Sequence, residues 1–246
     1  MKLRLIDTFS GIGGFSYSAE KLVGGFKTVA FVECEPFCQK VLKKHWPHFK
    51  QFHDIRTYNP EPYSADVICG GFPCQDISQA GLQAGITKET RSGLFFQLMR
   101  IICLVRPKYI VLENVAAILF NGLGIVLGEL AQAGYDTEYA CIPASALGAC
   151  HKRDRFFLVA YPSSDRLQRK IRPGVSNQTW SQKDSRRINP DWRRYKSKPV
   201  LDRGSDGLSN WIHRTIALGN SVCPQVAAIP LQRVLDLDKL TVSTKT

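Results

Sequence analysis

The sequence predicts an α/β fold built on a mostly parallel sheet. Three observations lead there. Short apolar runs of strand length alternate with helix-length segments through the first 160 of 246 residues. A glycine-rich turn, Gly11-Ile12-Gly13-Gly14, follows the first run, and sheets of this kind bind ligands beyond the carboxyl ends of their strands. The composition, 44% hydrophobic and 22% charged, is that of an ordinary globular protein. A chain of this length buries a core without disulfides or metal.

The elements follow in order. Residues 2–6 (KLRLI) read as a short strand, 7–14 as a loop and 15–23 as a helix. Residues 28–33 (TVAFVE) form a second strand. Residues 36–45 form a helix with Pro36 in its first turn, where the missing N–H has no intrahelical partner to lose. Residues 66–69 are a buried strand and 93–105 an apolar-faced helix, stopped before the next strand by Pro107. That strand is 108–112 (KYIVL). Residues 115–133 are mostly helical, and 135–142 and 156–161 read as late strands. Residues 161–210 break the pattern. They are rich in Ser, Arg, Lys, Asn, Asp and Pro, with Trp180, Trp192 and Tyr195 among the charges, and carry no period of 2 or 3.6. Residues 220–235 turn apolar again, as a loop and helix returning to the core. The chain thus divides into a main domain over 1–160, an inserted module over 161–210 and a return over 211–246.

Charge is uneven. The formal net charge is +12, of which residues 161–210 carry +7. That asymmetry suits either a polyanion partner or a solvated basic loop. No apolar run approaches the ~18–20 residues that span a bilayer, and the first residues lack the apolar core of a signal peptide. The eight cysteines include several inside apolar runs, as in DVICGG and RIICLV, where they act as small hydrophobes. This usage fits a reducing, cytoplasmic setting. Cys34 and Cys38, with His45 and His48 nearby, lack zinc-type CxxC spacing and read as helix residues, so no metal is expected.

Four constellations carry chemistry. The first is Asp7 to Phe15, between strand and helix, where glycines let backbone approach a ligand. Glu33 ends the next strand, 20 residues beyond Gly13, where an acid can bond ribose hydroxyls; a tight turn with a surface glutamate is the plainer reading. The second is Gly70-Gly71-Phe72-Pro73-Cys74-Gln75-Asp76-Ile77-Ser78 after the strand 66–69. A cysteine on a stiff turn there is placed as a nucleophile rather than as a structural thiol. The third is Glu113-Asn114-Val115 after the strand 108–112. A carboxyl group with a raised pKa there could donate a proton, or it could simply serve a helix N-terminus. The fourth is His151-Lys152-Arg153-Asp154-Arg155, whose alternate positions would share one face. Two arginines on that face suit phosphate or a carbonyl oxygen, or else guard a sheet edge.

Together these motifs resemble one family, the cytosine-C5 DNA methyltransferases of bacterial or phage type. The resemblance runs through residues 1–160 and 211–246. It rests on PCQ with Ser78 three residues after Gln75, then ENV, an R-x-R and GNSV, in the family's order. It implies a Rossmann-like S-adenosylmethionine-dependent methyltransferase fold, a mixed and mostly parallel sheet with helices on both faces, and a small inserted recognition module over 161–210. In that family Phe9, Gly11 and Gly13 match the motif that holds S-adenosylmethionine. Glu33 matches the ribose-binding acid, and Asp54 with Ile55 the pair at the adenine edge. Leu94 matches a residue near the methionine part, and Asn220 and Val222 the last motif, which closes the pocket. Cys74 matches the nucleophile, Glu113 the acid at cytosine N3 and the exocyclic amine, and Arg153 and Arg155 the pair at the target base and its phosphate. Gln75 and Ser78 match positions near DNA. Arg186, Arg187, Arg193 and Arg194 are further candidates for DNA contact.

The chemistry explains these residue types. Cytosine C5 is a poor nucleophile. Attack of a thiolate on C6 makes C5 enamine-like, and a proton shared between Glu113 and N3 stabilises the ring. C5 then takes the methyl group, and loss of its proton expels Cys74. The base must first leave the duplex, at a cost of a few kcal/mol, which phosphate contacts help offset. The implied enzyme is a monomer acting on double-stranded DNA, away from membranes, with a companion restriction endonuclease as an open partner. Cys34 after Glu33, His151 in place of the common Gln, the short segment 161–210 and the missing arginine-rich ninth motif depart from the family pattern. Two alternatives keep the scaffold. A transfer-RNA cytosine-C5 methyltransferase usually has Pro-Pro-Cys-Gln and Cys-Phe-Thr signatures, and here Phe72 precedes Pro73 with no CFT. A catalytically weak DNA-binding relative would lose the nucleophile or the acid, and both are present. A nicotinamide dehydrogenase leaves Cys74, Glu113 and Arg153 unexplained.

Overall fold

The computed structural model describes residues 1–73, 93–163 and 216–242. The strands are β1 (Leu3–Thr8), β2 (Phe26–Val32), β3 (Lys50–Phe52), β4 (Val67–Gly71), β5 (Tyr109–Val115), β6 (Tyr135–Pro143) and β7 (Asp154–Pro162). They form one sheet in the order β3-β2-β1-β4-β5-β7-β6. β1 to β5 are parallel, and β7 runs antiparallel to both β5 and β6. The chain winds outward from β1 to β3, then restarts at β4 and winds the other way. The reversal puts a topological switch point between β1 and β4, where a ligand crevice is expected.

Helices cover both faces. α1 (Gly14–Tyr17) continues as a π-helical turn (Ser18–Val23); α2 (Pro36–His45), α3 (Leu94–Val105), α4 (Ile118–Asn121), α5 (Leu123–Gln132) and α6 (Pro224–Val242) follow. Strand alternation sorts the core. Leu5, Val67, Cys69, Val111, Phe157 and Val159 face one side and pack with Phe15, Ala19 and the α6 residues Val226, Ile229, Val234 and Leu237. Ile6, Ile68, Ile110, Leu112 and Leu158 face the other and pack with Phe95, Leu98, Ile102, Val126 and Leu130. Glu113 and Arg155 continue the first series, so they project toward the α1–α6 face.

The mixed sheet with two helical layers is the predicted class. Several element bounds differ from the sequence reading. β3 is an addition, three residues held by pairing with β2. β5 extends through Val115, so Glu113 and Asn114 lie inside the strand rather than after it. The extension exists because β7 pairs Phe157 with Glu113 and Phe156 with Asn114. The expected helix 115–133 is two helices that part at Gly122. The last helix begins at Pro224 and runs to Val242 with Pro230 inside it. β7 runs to Pro162, past the expected boundary at 160. The remaining residues assigned to the inserted module lie almost wholly outside the described residues.

Candidate active site

The register places functional groups side by side at the carboxyl ends of the central strands. Thr8 lies beside Gly70 and Gly71 beside Glu113. On the β1 side, the loop after the strand is held by its own bonds. Ser10 donates its hydroxyl to the Asp7 carbonyl at 2.6 Å, and the Gly13 amide donates to the Ser10 carbonyl at 2.8 Å. Gly13 has φ +87, and a Cβ there would stand 2.6 Å from the Trp46 ring. Both facts require glycine. Phe9 holds φ +50, rare for a residue with a side chain.

Asp7 anchors this loop from below. Its Oδ2 accepts from the Ser16 amide at 3.1 Å and the Ser16 hydroxyl at 2.7 Å. The other oxygen is buried without a partner. Burial pushes its pKa up to about 7 against the bonds from Ser16, with Glu33 and Glu20 adding to the rise. Glu33, just past β2, accepts the Gly11 amide at 2.6 Å on Oε2 and the Glu35 amide at 2.8 Å on Oε1. Space beside the Gly11 α-carbon is open to at least 4 Å. Ile55 is buried, and its carbonyl and that of Tyr58 both accept from the Arg100 guanidinium. Asp54 is bound in a fork by Arg56, with bonds of 3.0 and 2.7 Å that hold its carboxyl below the usual range. Phe9 and Leu94, the first residue of α3, both pack on the core cluster that contains Ile55.

On the β5 side, Arg155 Nε donates to Glu113 Oε1 at 3.0 Å, with the two side chains only 23% and 13% exposed. Burial pushes Glu113 up to about 7, and the charges of Arg155 and Arg153 restrain the rise. Its Oε2 lies over Gly71, where a Cβ would come within 2.9 Å. Asn114 faces the other way and donates to the Phe72 carbonyl at 3.2 Å. That bond fixes the end of β4, and Phe72 packs on Phe95 at 5.1 Å between centroids. Cys74, Gln75 and Ser78 lie outside the described residues, as do Arg186, Arg187, Arg193 and Arg194.

Arg153 sits differently from the alternating pattern expected for 151, 153 and 155. β7 begins only at Asp154, and Arg153 has φ +36. Its Nη2 donates to the carbonyls of Gly219 (2.8 Å) and Ser221 (2.7 Å). Val222 follows directly and presses on Gly14, while Asn220 is exposed. A cavity of about 750 Å³ opens beside Gly13 and Gly14, walled by Tyr17, Trp46, Arg153 and Val222. Asp7, Ser16 and Asn114 were missed as positioning groups. The available signals were a lone acid closing an apolar strand and a short amide inside ENV.

Known proteins resemble this chain over about two thirds of its length. Type II methyltransferase M2.BsuMI of Bacillus subtilis strain 168 is 34% identical over 166 residues, 64% of this chain and 42% of that protein. Type II methyltransferase M.MspI of Moraxella sp is 33% identical over 163 residues, 64% of this chain and 38% of that protein. The chain thus spans less than half the length of these relatives. Among solved structures, a DNMT2 mutant of Spodoptera frugiperda superposes with a TM-score of 0.57 at 19% identity, covering 72% of this chain and 54% of that one. Entamoeba histolytica methyltransferase EhMeth gives 0.55 at 18%, covering 72% and 57%. These likenesses concern the fold. The family model for C-5 cytosine-specific DNA methylase matches residues 3–221, and the chain belongs to that family.

Proposed function

We propose that the chain is a DNA (cytosine-5-)-methyltransferase acting on a cytosine flipped out of duplex DNA. The Glu113–Arg155 pair carries this reading: a largely buried carboxyl group poised near pH 7, fixed by a guanidinium and packed over a glycine. Such a group can hold a proton toward a ring nitrogen at neutral pH or release it. Arg155 fixes Oε1, and Oε2 lies against Gly71. Cys74, the third residue after Gly71, is the nucleophile for C6 in this account. Asn114 positions the strand end from which that residue departs.

The residues present fit S-adenosylmethionine. The carboxylate of Glu33 stands at the end of β2 for hydroxyl groups, open space adjoins Gly11, and Phe9, Ile55 and Leu94 offer apolar surface on one cluster. With Gly13, Asp54, Asn220 and Val222 they are the residues that would hold it. When bound, S-adenosylmethionine supplies the methyl group. Gln75, Ser78, Arg155 and the arginines Arg186, Arg187, Arg193 and Arg194 are assigned to DNA. Residues 1–160 do the chemistry, 161–210 recognise the target and 211–246 close the pocket. A monomer in the cytoplasm, within a restriction–modification system, completes the reading. Among the described residues, no helix is long and apolar enough to cross a membrane.

The test is covalent capture. Fluorine at C5 of the target cytosines blocks the proton loss that releases the enzyme. Mixed-sequence duplex carrying that base, with S-adenosylmethionine, should give a protein–DNA adduct that maps to Cys74 and is lost in Cys74→Ser. An adduct that persists in Cys74→Ser would refute the assignment.

A further inference from the structure

Arg153 stands between the two halves of the site, and its bonds go to backbone on another part of the chain. The guanidinium is half-buried, and one nitrogen reaches two carbonyls, Gly219 at 2.8 Å and Ser221 at 2.7 Å. These carbonyls close a helical turn over residues 216–220, where the last carbonyls lack helical partners. The forked, permanently charged guanidinium suits such a pair better than an ammonium does. The left-handed φ of +36 at Arg153 is one that a residue with a side chain keeps only where its surroundings fix it. Two residues further on, Arg155 holds Glu113. One residue beyond Ser221, Val222 closes on Gly14.

We propose that Arg153 is a positioning residue that straps the segment 219–222 to the start of β7, so that the wall beside Gly14 and the Glu113–Arg155 pair are set by one short stretch of chain. Its function is internal rather than contact with DNA phosphate. The strap follows from the geometry alone; its effect on cofactor binding rests on the reading that the glycine loop holds S-adenosylmethionine.

The experiment uses the full chain, free of cofactor and DNA, as wild type, Arg153→Ala, Arg153→Lys and Arg155→Ala. Amide hydrogen exchange is read over residues 217–223, where the Ser221 amide bonds the Ala217 carbonyl at 3.0 Å, and over α3 as a control. Exchange over 217–223 should quicken about tenfold in Arg153→Ala, less in Arg153→Lys and not in Arg155→Ala, with α3 unchanged. Should Arg153→Ala lose protection everywhere, Arg153→Lys decides, its loss confined to 217–223 supporting the strap. Unchanged protection over 217–223 overturns it. Equilibrium dialysis with labelled S-adenosylmethionine, still without DNA, should then give a Kd about tenfold weaker for Arg153→Ala and nearly unchanged for Arg155→Ala. Faster exchange with an unchanged Kd overturns the link to the cofactor wall. A wild type that binds no S-adenosylmethionine removes the functional reading and leaves the strap to stand on exchange.

Discussion

Replacing Gly14 by alanine would drive a methyl group into the C-terminal segment. Its Cβ would stand 2.6 Å from Val222 Cγ1, 2.8 Å from the Val222 carbonyl oxygen and 3.2 Å from Ser221 Oγ. Carbon atoms settle at roughly 3.5–4.0 Å, so about 1 Å of movement is needed. The Ser221 hydroxyl can rotate away and the Val222 side chain can repack, but the carbonyl belongs to the backbone. The segment must therefore retreat. Overpacking of this kind costs about 1–3 kcal/mol. Alanine also suits α1 better than glycine, by up to about 1 kcal/mol, so global stability should change less than the local geometry does. The damage should appear in S-adenosylmethionine binding, weakened about 5- to 150-fold in equilibrium dialysis without DNA. Gly124→Ala is the control, since a Cβ there meets nothing within 4 Å. If Gly14→Ala binds as the wild type does, Val222 is not a wall of the cofactor pocket and the reasoning fails.

Three further substitutions probe the rest of the site. Glu113→Gln should cut methyl transfer by about 10²–10⁴-fold with little change in cofactor affinity; an effect confined to affinity would take Glu113 out of the chemistry. Gly71→Ala brings a Cβ within 2.9 Å of Glu113 Oε2, and should lower turnover while leaving the cofactor Kd in place, as steady-state kinetics and dialysis would resolve. Asp7→Asn tests the buried anchor through pH. Burial raises the Asp7 carboxyl to about 7, so the folded chain holds its proton more tightly than the unfolded one. The resulting stability is complete below the ordinary value near 3.8 and is lost as pH rises through about 7. Thermal unfolding should therefore show Asp7→Asn gaining on the wild type as pH rises from about 4 to about 7 and holding level above that, whereas parallel curves would place Asp7 outside that titration.

Much of the fold was legible because its strands carry dense apolar runs. ICGG and YIVL announce buried parallel strands, and Gly11 to Gly14 announce the turn at the switch point. What escaped depends on pairing between distant segments. Lys50–Phe52 is three residues with no apolar signature, and it is a strand only because Ala30 to Val32 pair with it. Glu113 and Asn114 look like loop residues, yet β7 arrives antiparallel and keeps them extended. Arg153 looks like half of an alternating pair, but its partners are carbonyls 66 and 68 residues away, and backbone acceptors leave no mark in a sequence. The raised pKa of Glu113 follows from burial, against the opposing charge of Arg155, and only the assembled sheet supplies that burial.

The most direct test of the central claim is transfer of labelled methyl from S-adenosylmethionine, with unmethylated genomic DNA and total transfer RNA offered in parallel and the product mapped by bisulfite sequencing. Label is expected in DNA, at C5 of cytosines within a defined sequence. Label in transfer RNA alone, or in neither substrate while the cofactor binds, would contradict it.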